Sequence, residues 1–351
     1  MRRTGGRAAT YARRVPGKGA EEAGLAAIPI VLDTDGGIDD CTALWYALTD
    51  PALEVVAVTT VGGVVDVAQA ARNVAKVLHA AGREDVPVAL GADEPYGPGP
   101  DLSFRAGWHG ADGLGDSGLP DVASRPVDEP APALLTRLTA ERPGELTLVS
   151  VGPCTNVARA LDLDPGLAVR VRELVVMGGT AFPPGNTTPW GEFNAVFDPS
   201  ATAATVEAPW ARPPLLVGLD VTRRAVLTAG DVALAGEGRT AAARFLAPAL
   251  RFALARRAAP VGPGDGGVPS HDTLAVMAVA HPDVVTGEEL PLRVDTGGGA
   301  AWGATVVDLR ARSAHDEALF AGAARWRIAL DVDVDGFQAR VRRMLGPPDG
   351  P

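Results

Sequence analysis

Short runs of apolar, mostly β-branched residues alternate along this chain with longer segments rich in Ala and Leu. The runs at 28–32 and 55–60 are each followed by a segment of helical period, at 41–48 and 67–81. Such alternation of strands and helices is typical of βαβ units, and near-continuous apolar strands are typical of a parallel sheet that is buried on both faces. We therefore expect an α/β fold with a mostly parallel sheet covered by helices on both faces.

The N-terminal stretch differs in charge from the rest of the chain. The whole chain of 351 residues has a net charge of −11, yet its first 20 residues carry six basic side chains and no acidic one. We expect a disordered basic arm over 1–26 and a single domain over 27–345, because Pro and Gly clusters are spread along the chain and no repeat is visible. An acidic body repels phosphates and anionic lipids, so we expect no binding of nucleic acid or membranes.

Cysteine content and hydropathy indicate the compartment. The chain has two cysteines, Cys41 and Cys154, which are too few for a disulfide framework and lack the spacing of a zinc or redox site. No run of about 18 apolar residues is present, so no membrane span is expected. The N-terminal stretch has no apolar core of a secretory signal. These features predict a cytoplasmic protein with two reduced thiols.

A cluster of acidic residues follows the first predicted strand, where ligands of parallel sheets bind. Four carboxylates, those of Asp33, Asp35, Asp39 and Asp40, lie within eight residues. An acidic residue that caps a helix start would explain one of them. Crowded carboxylates repel one another unless a cation neutralises them, and their hard oxygens select Ca²⁺ or Mg²⁺ over zinc. We expect a metal site here, with simple helix capping as the alternative.

The segment Asp-Thr-Asp-Gly-Gly-Ile-Asp-Asp at 33–40 resembles the signature of the inosine–uridine nucleoside hydrolases, which usually reads Asp-x-Asp-Pro-Gly-x-Asp-Asp. The likeness extends from about Ile28 to Phe337 and recurs in order in seven further segments, at 59–63, 148–156, 176–179, 185–194, 217–222, 271–272 and 305–308. One such segment is modest support, but the ordered set is specific. The resemblance implies a Rossmann-like nucleoside hydrolase fold and hydrolysis of N-glycosidic bonds.

The resemblance also implies a metal centre. Asp35, Asp40 and Asp272 would ligate Ca²⁺ together with the backbone carbonyl of Val151. Asp35 would in addition accept a proton from a water bound to the ion.

The resemblance further implies contacts to a ribonucleoside substrate. The residues expected to contact the sugar are Asp39, Asn194 and Asp272 at the 2′- and 3′-hydroxyls, Asn186 and Glu192 at the 5′-hydroxyl, and Met177 along the sugar. His271 would lie near the base as an acid for the leaving group. His109 is a weaker candidate for the base pocket. Structural alternatives remain open for several of these residues: turn formation by the asparagines, core packing by Met177, and a helix start at His271.

The chemistry of the residues agrees with this implied arrangement. Hydrolysis of an N-glycosidic bond passes through a sugar with oxocarbenium character, so fixed negative charge helps the transition state more than the ground state. A divalent ion lowers the pKa of a bound water. Two positions depart from the family pattern. Gly36 replaces the usual Pro, and Val64 stands where an Asn is common.

Two other function classes compete with this interpretation. A haloacid dehalogenase-type phosphohydrolase also begins with Asp-x-Asp-Gly after a strand, but it needs a downstream lysine, and this chain has only Lys18 and Lys76. A non-catalytic nucleoside- or sugar-binding protein on the same scaffold is the other alternative, motivated by Val64. A nicotinamide enzyme is disfavoured, because no Gly-x-Gly-x-x-Gly follows the first strand.

The sequence therefore favours a calcium-dependent N-ribohydrolase of nucleoside salvage that converts a purine or pyrimidine ribonucleoside and water into ribose and a free base. The resemblance implies a homodimer or homotetramer. The contacts that select the base are expected from 91–119 and 245–270, where the resemblance is weakest.

Overall fold

A computed structural model describes residues 26–98, 107–256, 267–308 and 320–346. Within these residues the strands are β1 (Ile28–Thr34), β2 (Leu53–Thr60), β3 (Val88–Leu90), β4 (Thr147–Ser150), β5 (Glu173–Met177), β6 (Leu215–Val217), β7 (Val226–Thr228), β8 (Gly267–Pro269), β9 (Val285–Val294), β10 (Thr305–Val307) and β11 (Arg325–Val332). The helices are α1 (Ile38–Thr49), α2 (Val67–Ala81), α3 (Ala131–Glu141), α4 (Thr155–Leu163), α5 (Leu167–Arg170), α6 (Phe193–Phe197), α7 (Pro199–Glu207), α8 (Leu219–Thr222), α9 (Ala229–Gly236), α10 (Ala241–Arg256), α11 (His271–Ala280) and α12 (Val334–Leu345).

A nine-stranded sheet forms the centre of the described residues, in the order β10-β9-β11-β6-β5-β4-β1-β2-β3. The pairs from β11 through β6, β5, β4, β1 and β2 to β3 are parallel, and β9 pairs antiparallel with both β10 and β11. Strands β7 and β8 form a separate antiparallel pair. The prediction of a mostly parallel α/β sheet is confirmed.

Alternate residues of β1 face the two helical layers. Ile30 and Leu32 pack into an apolar cluster with α1, α2, α10 and α11, whereas Val31 packs on the opposite face with α3, α4 and α7. All three side chains are buried. The strand therefore reads as a continuous apolar run because both of its faces are covered, as the sequence indicated.

The parallel strands bring the candidate residues to one edge of the sheet. Asp33 lies beside Ser150 of β4 and Thr59 of β2, and Ser150 lies beside Val176 of β5. The segments that follow β1, β2, β4 and β5 consequently meet at the carboxyl ends of the strands. This is the position at which parallel sheets bind ligands.

Helices α1 and α11 are joined at their C-terminal ends. Asp50, the C-cap of α1, accepts a hydrogen bond from the Tyr46 hydroxyl at 2.6 Å and lies 2.8 Å from Nε2 of His281, the C-cap of α11. The opposite ends of these two helices carry carboxylates of the candidate site. We refer to Tyr46, Asp50 and His281 as the helix clasp.

Several elements were not anticipated from the sequence. Helices α10 and α12 and the strands β9 and β11 lie in a part of the chain for which the pattern predicted little beyond α11. No described helix has both the length and the apolar content that a membrane span needs. The basic arm expected over 1–26 lies, apart from its last residue, outside the described residues.

We propose that residues 27–345 unfold as one domain, and α12 tests this. Phe337 of α12 is fully buried in the same apolar cluster as α1. Replacement of Phe337 by Ala should lower the free energy of unfolding by about 3–5 kcal/mol, because it removes a packed aromatic ring and leaves a cavity. Calorimetry should show one transition at a lower midpoint. Phe182→Ala, the same change at a half-exposed position, is the control and should shift the midpoint little. Two separate transitions would contradict a single domain.

Candidate active site

A tight turn follows β1 and places the acidic segment. Gly36 has a φ of +74°, and a Cβ there would lie 2.6 Å from Ala70 Cα, so the turn favours glycine on both counts. Helix α1 begins two residues later and carries Asp39 and Asp40 in its first turn. Negative charge is favoured at a helix N-terminus. The turn and the helix start therefore bring these carboxylates back toward the end of β1.

Asp40 is held by donors from the turn itself. Its Oδ1 accepts a hydrogen bond from the Thr34 hydroxyl at 2.5 Å and one from the backbone N–H of Asp35 at 3.1 Å. Its Oδ2 accepts from the backbone N–H of Gly37 at 3.0 Å. Three donors on one buried carboxylate fix its orientation.

Asp35 is fixed by the segment after β2. Its Oδ2 accepts a hydrogen bond from the backbone N–H of Val64 at 2.8 Å. A Cβ on Gly63 would lie 1.9 Å from the same oxygen, so the close approach requires glycine. Val64, which departs from the family pattern, thus contacts Asp35 through its backbone, and its own side chain is buried.

Three carboxylates from two helix starts converge in this site. Asp39 and Asp40 of α1 and Asp272 of α11 each offer an oxygen, and the three oxygens lie within 4.8 Å of one another. Asp35 adjoins them, and the charge of Asp40 acts on it. The structure thus brings together the predicted ligands Asp40 and Asp272 and the predicted sugar contact Asp39.

Burial and mutual repulsion control the ionisation of this cluster. Burial, with the charge of Asp40 next, raises the pKa of Asp39 to about 7 and that of Asp35 well above its ordinary value. Burial, followed by the charges of Asp39, Asp40 and Asp35, does the same for the pKa of Asp272. A divalent cation would remove this repulsion. The donor set of hard oxygens fits such an ion.

The predicted carbonyl ligand lies beside the cluster on the next strand end. The carbonyl of Val151 accepts a hydrogen bond from Nδ2 of Asn194 at 2.7 Å, and the same nitrogen donates to the carbonyl of Met177 at 3.2 Å. A carbonyl oxygen has two lone pairs, so Val151 can accept this bond and still ligate an ion. Asn194 and Met177 are both buried. The side chain predicted to hold ribose therefore joins the ends of β4 and β5.

Glu192 and Asn186 organise the loop that precedes α6. Glu192 is the N-cap of α6, and its two oxygens accept from the backbone N–H groups of Asn194, Ala195 and Gly179 at 3.0, 3.2 and 2.9 Å. Burial raises the pKa of Glu192 to about 7. Asn186 is exposed, and its Oδ1 accepts from the N–H of Phe193 at 2.9 Å. Both residues predicted to bind a 5′-hydroxyl thus hold the loop backbone.

His109 contacts the acidic helix directly. Its Nδ1 accepts the backbone N–H of Ile38 at 3.1 Å and lies 3.8 Å from Oδ1 of Asp39. A backbone N–H can only donate, so the proton of the neutral ring is on Nε2. Burial lowers the pKa of His109 below its ordinary value. His109 therefore completes the capping of α1 from a distant loop.

His271 is the first residue of α11 and precedes Asp272. Its Nδ1 lies 2.8 Å from the hydroxyl of Thr222 at the end of α8. The sequence alone gave no reason to connect these two residues, which are 49 positions apart.

Asp33 has a different place from the other carboxylates of its segment. Its Oδ1 accepts hydrogen bonds from the Thr59 hydroxyl at 2.6 Å and from Nδ2 of Asn156 at 2.7 Å. Burial raises the pKa of Asp33 to about 7. Asp33 consequently links β1, β2 and α4 beneath the site, a role that the dense acidic motif concealed.

Asn73 of α2 is a further residue that the sequence analysis missed. Its buried Nδ2 donates to the carbonyls of Gly36 and Asp112, both at 2.8 Å, and its Oδ1 accepts from Nε2 of Gln69 at 2.9 Å. One amide thus joins the acidic turn to the loop that presents His109. No local pattern distinguishes Asn73 from the other polar residues of α2, such as Gln69 and Lys76.

Known proteins resemble this chain over most of its length. The model of the family described as inosine-uridine preferring nucleoside hydrolase matches residues 30–339. The chain belongs to this family. It is therefore an N-glycosyl hydrolase, which is the enzyme class that the sequence predicted. Membership also removes the haloacid dehalogenase-type alternative, and the described lysine, Lys76, pairs with Asp121 at 2.9 Å.

Individual relatives match this nucleoside hydrolase over most of its length. The probable uridine nucleosidase 1 of Oryza sativa is 32% identical over 325 residues, which cover 91% of this chain and 97% of the relative. The non-specific ribonucleoside hydrolase RihC of Escherichia coli is 35% identical over 318 residues, with 91% and 98% covered. A solved plant nucleoside hydrolase is 30% identical and superposes with a TM-score of 0.83, covering 91% of this chain and 99% of that one.

The raised pKa values predict how pH affects the stability of the metal-free protein. Asp33 and Asp39 have a pKa of about 7 when folded, above the ordinary value of 3.8. The folded state therefore binds more protons than the unfolded state, and the free energy of unfolding should fall as pH rises from about 4 to about 7. Denaturant unfolding in a chelator measures this loss. Added Ca²⁺ should reduce this pH-dependent loss of stability in the parent protein, and should reduce it much less in Asp272→Asn. A decline that Ca²⁺ leaves unchanged in the parent protein would contradict a cation site.

The bridging role of Asn73 predicts a large effect of one isosteric change. Asn73→Asp removes both N–H donors and places a carboxylate next to two carbonyl oxygens, which repel it. The free energy of unfolding should therefore fall by about 2–4 kcal/mol. Denaturant titration measures the change. Asn186→Asp makes the same substitution at an exposed position and should be nearly neutral for stability. Equal stabilities of the two variants would show that Asn73 does not join the turn to the loop.

Proposed function

We propose that this chain hydrolyses ribonucleosides to ribose and free base in a calcium-dependent reaction. The observation that carries the proposal is the convergence of carboxylates from the starts of α1 and α11 at the carboxyl edge of the sheet, beside Asp35 after β1, in a chain of the nucleoside hydrolase family. Carboxylates that are crowded together away from water lower the stability of the fold unless they are neutralised. A bound cation would neutralise them.

The metal would be held by Asp35, Asp40 and Asp272 together with the carbonyl of Val151. Oxygen donors of this kind suit Ca²⁺, which accepts irregular sets of carboxylates and carbonyls, better than Zn²⁺, which prefers nitrogen and sulfur. When bound, a divalent cation polarises water and lowers its pKa. Asp39 lies close to Asp40 and Asp272 and would add a further negative charge near the ion.

Asp35 is proposed as the general base that accepts a proton from the attacking water. Its carboxylate is oriented by the N–H of Val64 through one oxygen, Oδ2. The close approach at Gly63 leaves Asp35 little freedom to turn away.

The sugar would be held over the carboxylate cluster. Asp39, Asp272 and Asn194 are proposed to bind the 2′- and 3′-hydroxyls, and Asn186 and Glu192 the 5′-hydroxyl, with Met177 beside the ring. The ribose gains positive charge as the bond to the base breaks. Fixed negative charge close to it therefore stabilises the transition state more than the bound substrate.

His271 and His109 are proposed to serve the departing base, which takes the electron pair of the broken bond. His109 lies 3.8 Å from Asp39, and His271 directly precedes Asp272 at the start of α11. The printed activities of the relatives range from uridine nucleosidase to non-specific ribonucleoside hydrolase. We therefore propose ribonucleosides as the substrate class.

The role of Asp35 predicts a large loss of turnover on its replacement. Asp35→Asn keeps the shape of the side chain but removes the proton acceptor, so kcat should fall by about 10²–10⁴-fold or more while the fold persists. The measurement is release of reducing sugar from inosine, uridine, cytidine and adenosine, with Ca²⁺ and with a chelator. Asp335→Asn, at an exposed position of α12, is the matched control and should retain parent activity.

Two results would contradict the proposal. Near-normal turnover by Asp35→Asn would remove Asp35 as the base. If calcium-loaded protein binds nucleosides in calorimetry but releases no sugar from any of them, the chain is a binding protein on this scaffold. Full activity in the chelator would contradict calcium dependence.

A further inference from the structure

The short helix α8 brings a hydroxyl against one of the two site histidines. Thr222, the last residue of α8, is fully buried, and its Oγ1 lies 2.8 Å from Nδ1 of His271. The backbone N–H of Thr222 is already bonded to the carbonyl of Gly218 at 3.1 Å. Thr222 therefore contacts the ring of His271 through its hydroxyl and not through its backbone N–H.

The buried hydroxyl decides which ring nitrogen carries the proton. Among the residues that the structure describes, Thr222 Oγ1 forms its hydrogen bond with Nδ1 of His271. If Nδ1 carried the proton, it would donate to Oγ1, and the hydroxyl hydrogen would be buried without an acceptor. Such an unsatisfied donor is unfavourable. If Nδ1 is unprotonated, it accepts the hydroxyl hydrogen and no group is left unpaired.

The second histidine shows the same arrangement with a different donor. Nδ1 of His109 faces the backbone N–H of Ile38, which has no acceptor capacity, so this nitrogen must accept. Two distant parts of the chain thus supply a donor to Nδ1 of His109, which lies beside Asp39, and to Nδ1 of His271, which precedes Asp272. Both rings then carry their proton on Nε2.

We propose that Thr222 is a positioning residue that holds the neutral ring of His271 in the tautomer protonated on Nε2. The consequence for catalysis rests on the proposed function. An Nε2–H is a hydrogen-bond donor, and a donor can stabilise the negative charge that develops on the base as the electron pair of the glycosidic bond moves onto it. Hydrogen bonds made by one ring nitrogen commonly set the state of the other. Thr222 itself does not touch the substrate in this proposal.

The tautomer can be measured without any assay of activity. Two-bond ¹H–¹⁵N correlation spectra of the full chain labelled in histidine distinguish a ring protonated on Nε2 from one protonated on Nδ1. His271→Gln assigns the signal by its disappearance. At a pH at which the ring is neutral, His271 of the parent protein should show the Nε2-protonated pattern. The opposite pattern overturns the proposal.

Matched variants separate the hydroxyl from the shape of the side chain. Thr222→Val keeps the volume but removes the hydroxyl, so the ring should lose its preference for the Nε2 proton. Thr222→Ser keeps the hydroxyl and should retain the preference. If Thr222→Val does not fold, Thr222→Ala makes the same test without the bulk of the valine. An unchanged spectrum in the variant that lacks the hydroxyl overturns the proposal.

Kinetics then connect the tautomer to the reaction. Thr222→Val should lower kcat by at least about tenfold with KM altered much less, and Thr222→Ser should restore most of the rate. A parent rate in a variant whose tautomer has changed overturns the catalytic consequence. A protein that shows the expected tautomer but hydrolyses no nucleoside contradicts the proposed function and leaves the role of Thr222 in place, so the two failures are distinguishable.

Discussion

Repulsion between buried carboxyl groups is the constraint around which this molecule is arranged. Asp39, Asp40 and Asp272 place oxygens within 4.8 Å of one another, with Asp40 and Asp272 buried and Asp39 partly exposed. At such a separation two charges repel by about 4 kcal/mol even at an effective dielectric constant of about 20. The folded chain must offset this repulsion with donors, with helix N-termini and with the stability of the sheet below. A cation and a positively charged sugar would each relieve it.

The supports of the site come from segments that are remote in sequence. Asn73 joins the acidic turn to the loop of His109, Asn194 joins the ends of β4 and β5, and Asp33 is held by Thr59 and Asn156. Each uses a buried, hydrogen-bonded polar group. These groups hold the segments that surround the carboxylates. Asn73 and Asp33, which have no proposed contact with substrate, thus help to fix the geometry of the site.

The sequence predicts the fold well where local patterns decide it. The apolar runs of β1 and β2 and the helical period of α2 follow from their own residues, and the strand-end rule places Asp35 and Asp40 correctly at the edge of the sheet. Strand β9 was missed, because Glu288, Glu289 and Pro291 break its apolar pattern and the pairing with β11 supplies the missing preference. Partners in space, not neighbours in sequence, decide such an element.

The same distinction applies to the site. Spacing alone makes Asp33 equivalent to Asp35, although the two residues differ completely in their partners. The pairing of Thr222 with His271 depends on how α8 and α11 pack, so no motif contains it. Resemblance to a family names the residues that meet a substrate. It does not name those that hold them in place, because their roles exist only after folding.

The helix clasp has a consequence for how the site meets an ion. Tyr46, Asp50 and His281 join α1 and α11 at the ends opposite to Asp39, Asp40 and Asp272. The clasp fixes the C-terminal ends of the two helices relative to each other. Part of the entropy of bringing the three repelling groups together is therefore lost when the chain folds rather than when an ion arrives, which favours binding of the ion. The C-terminal ends of α1 and α11 thus contribute to how tightly their N-terminal ends can bind an ion.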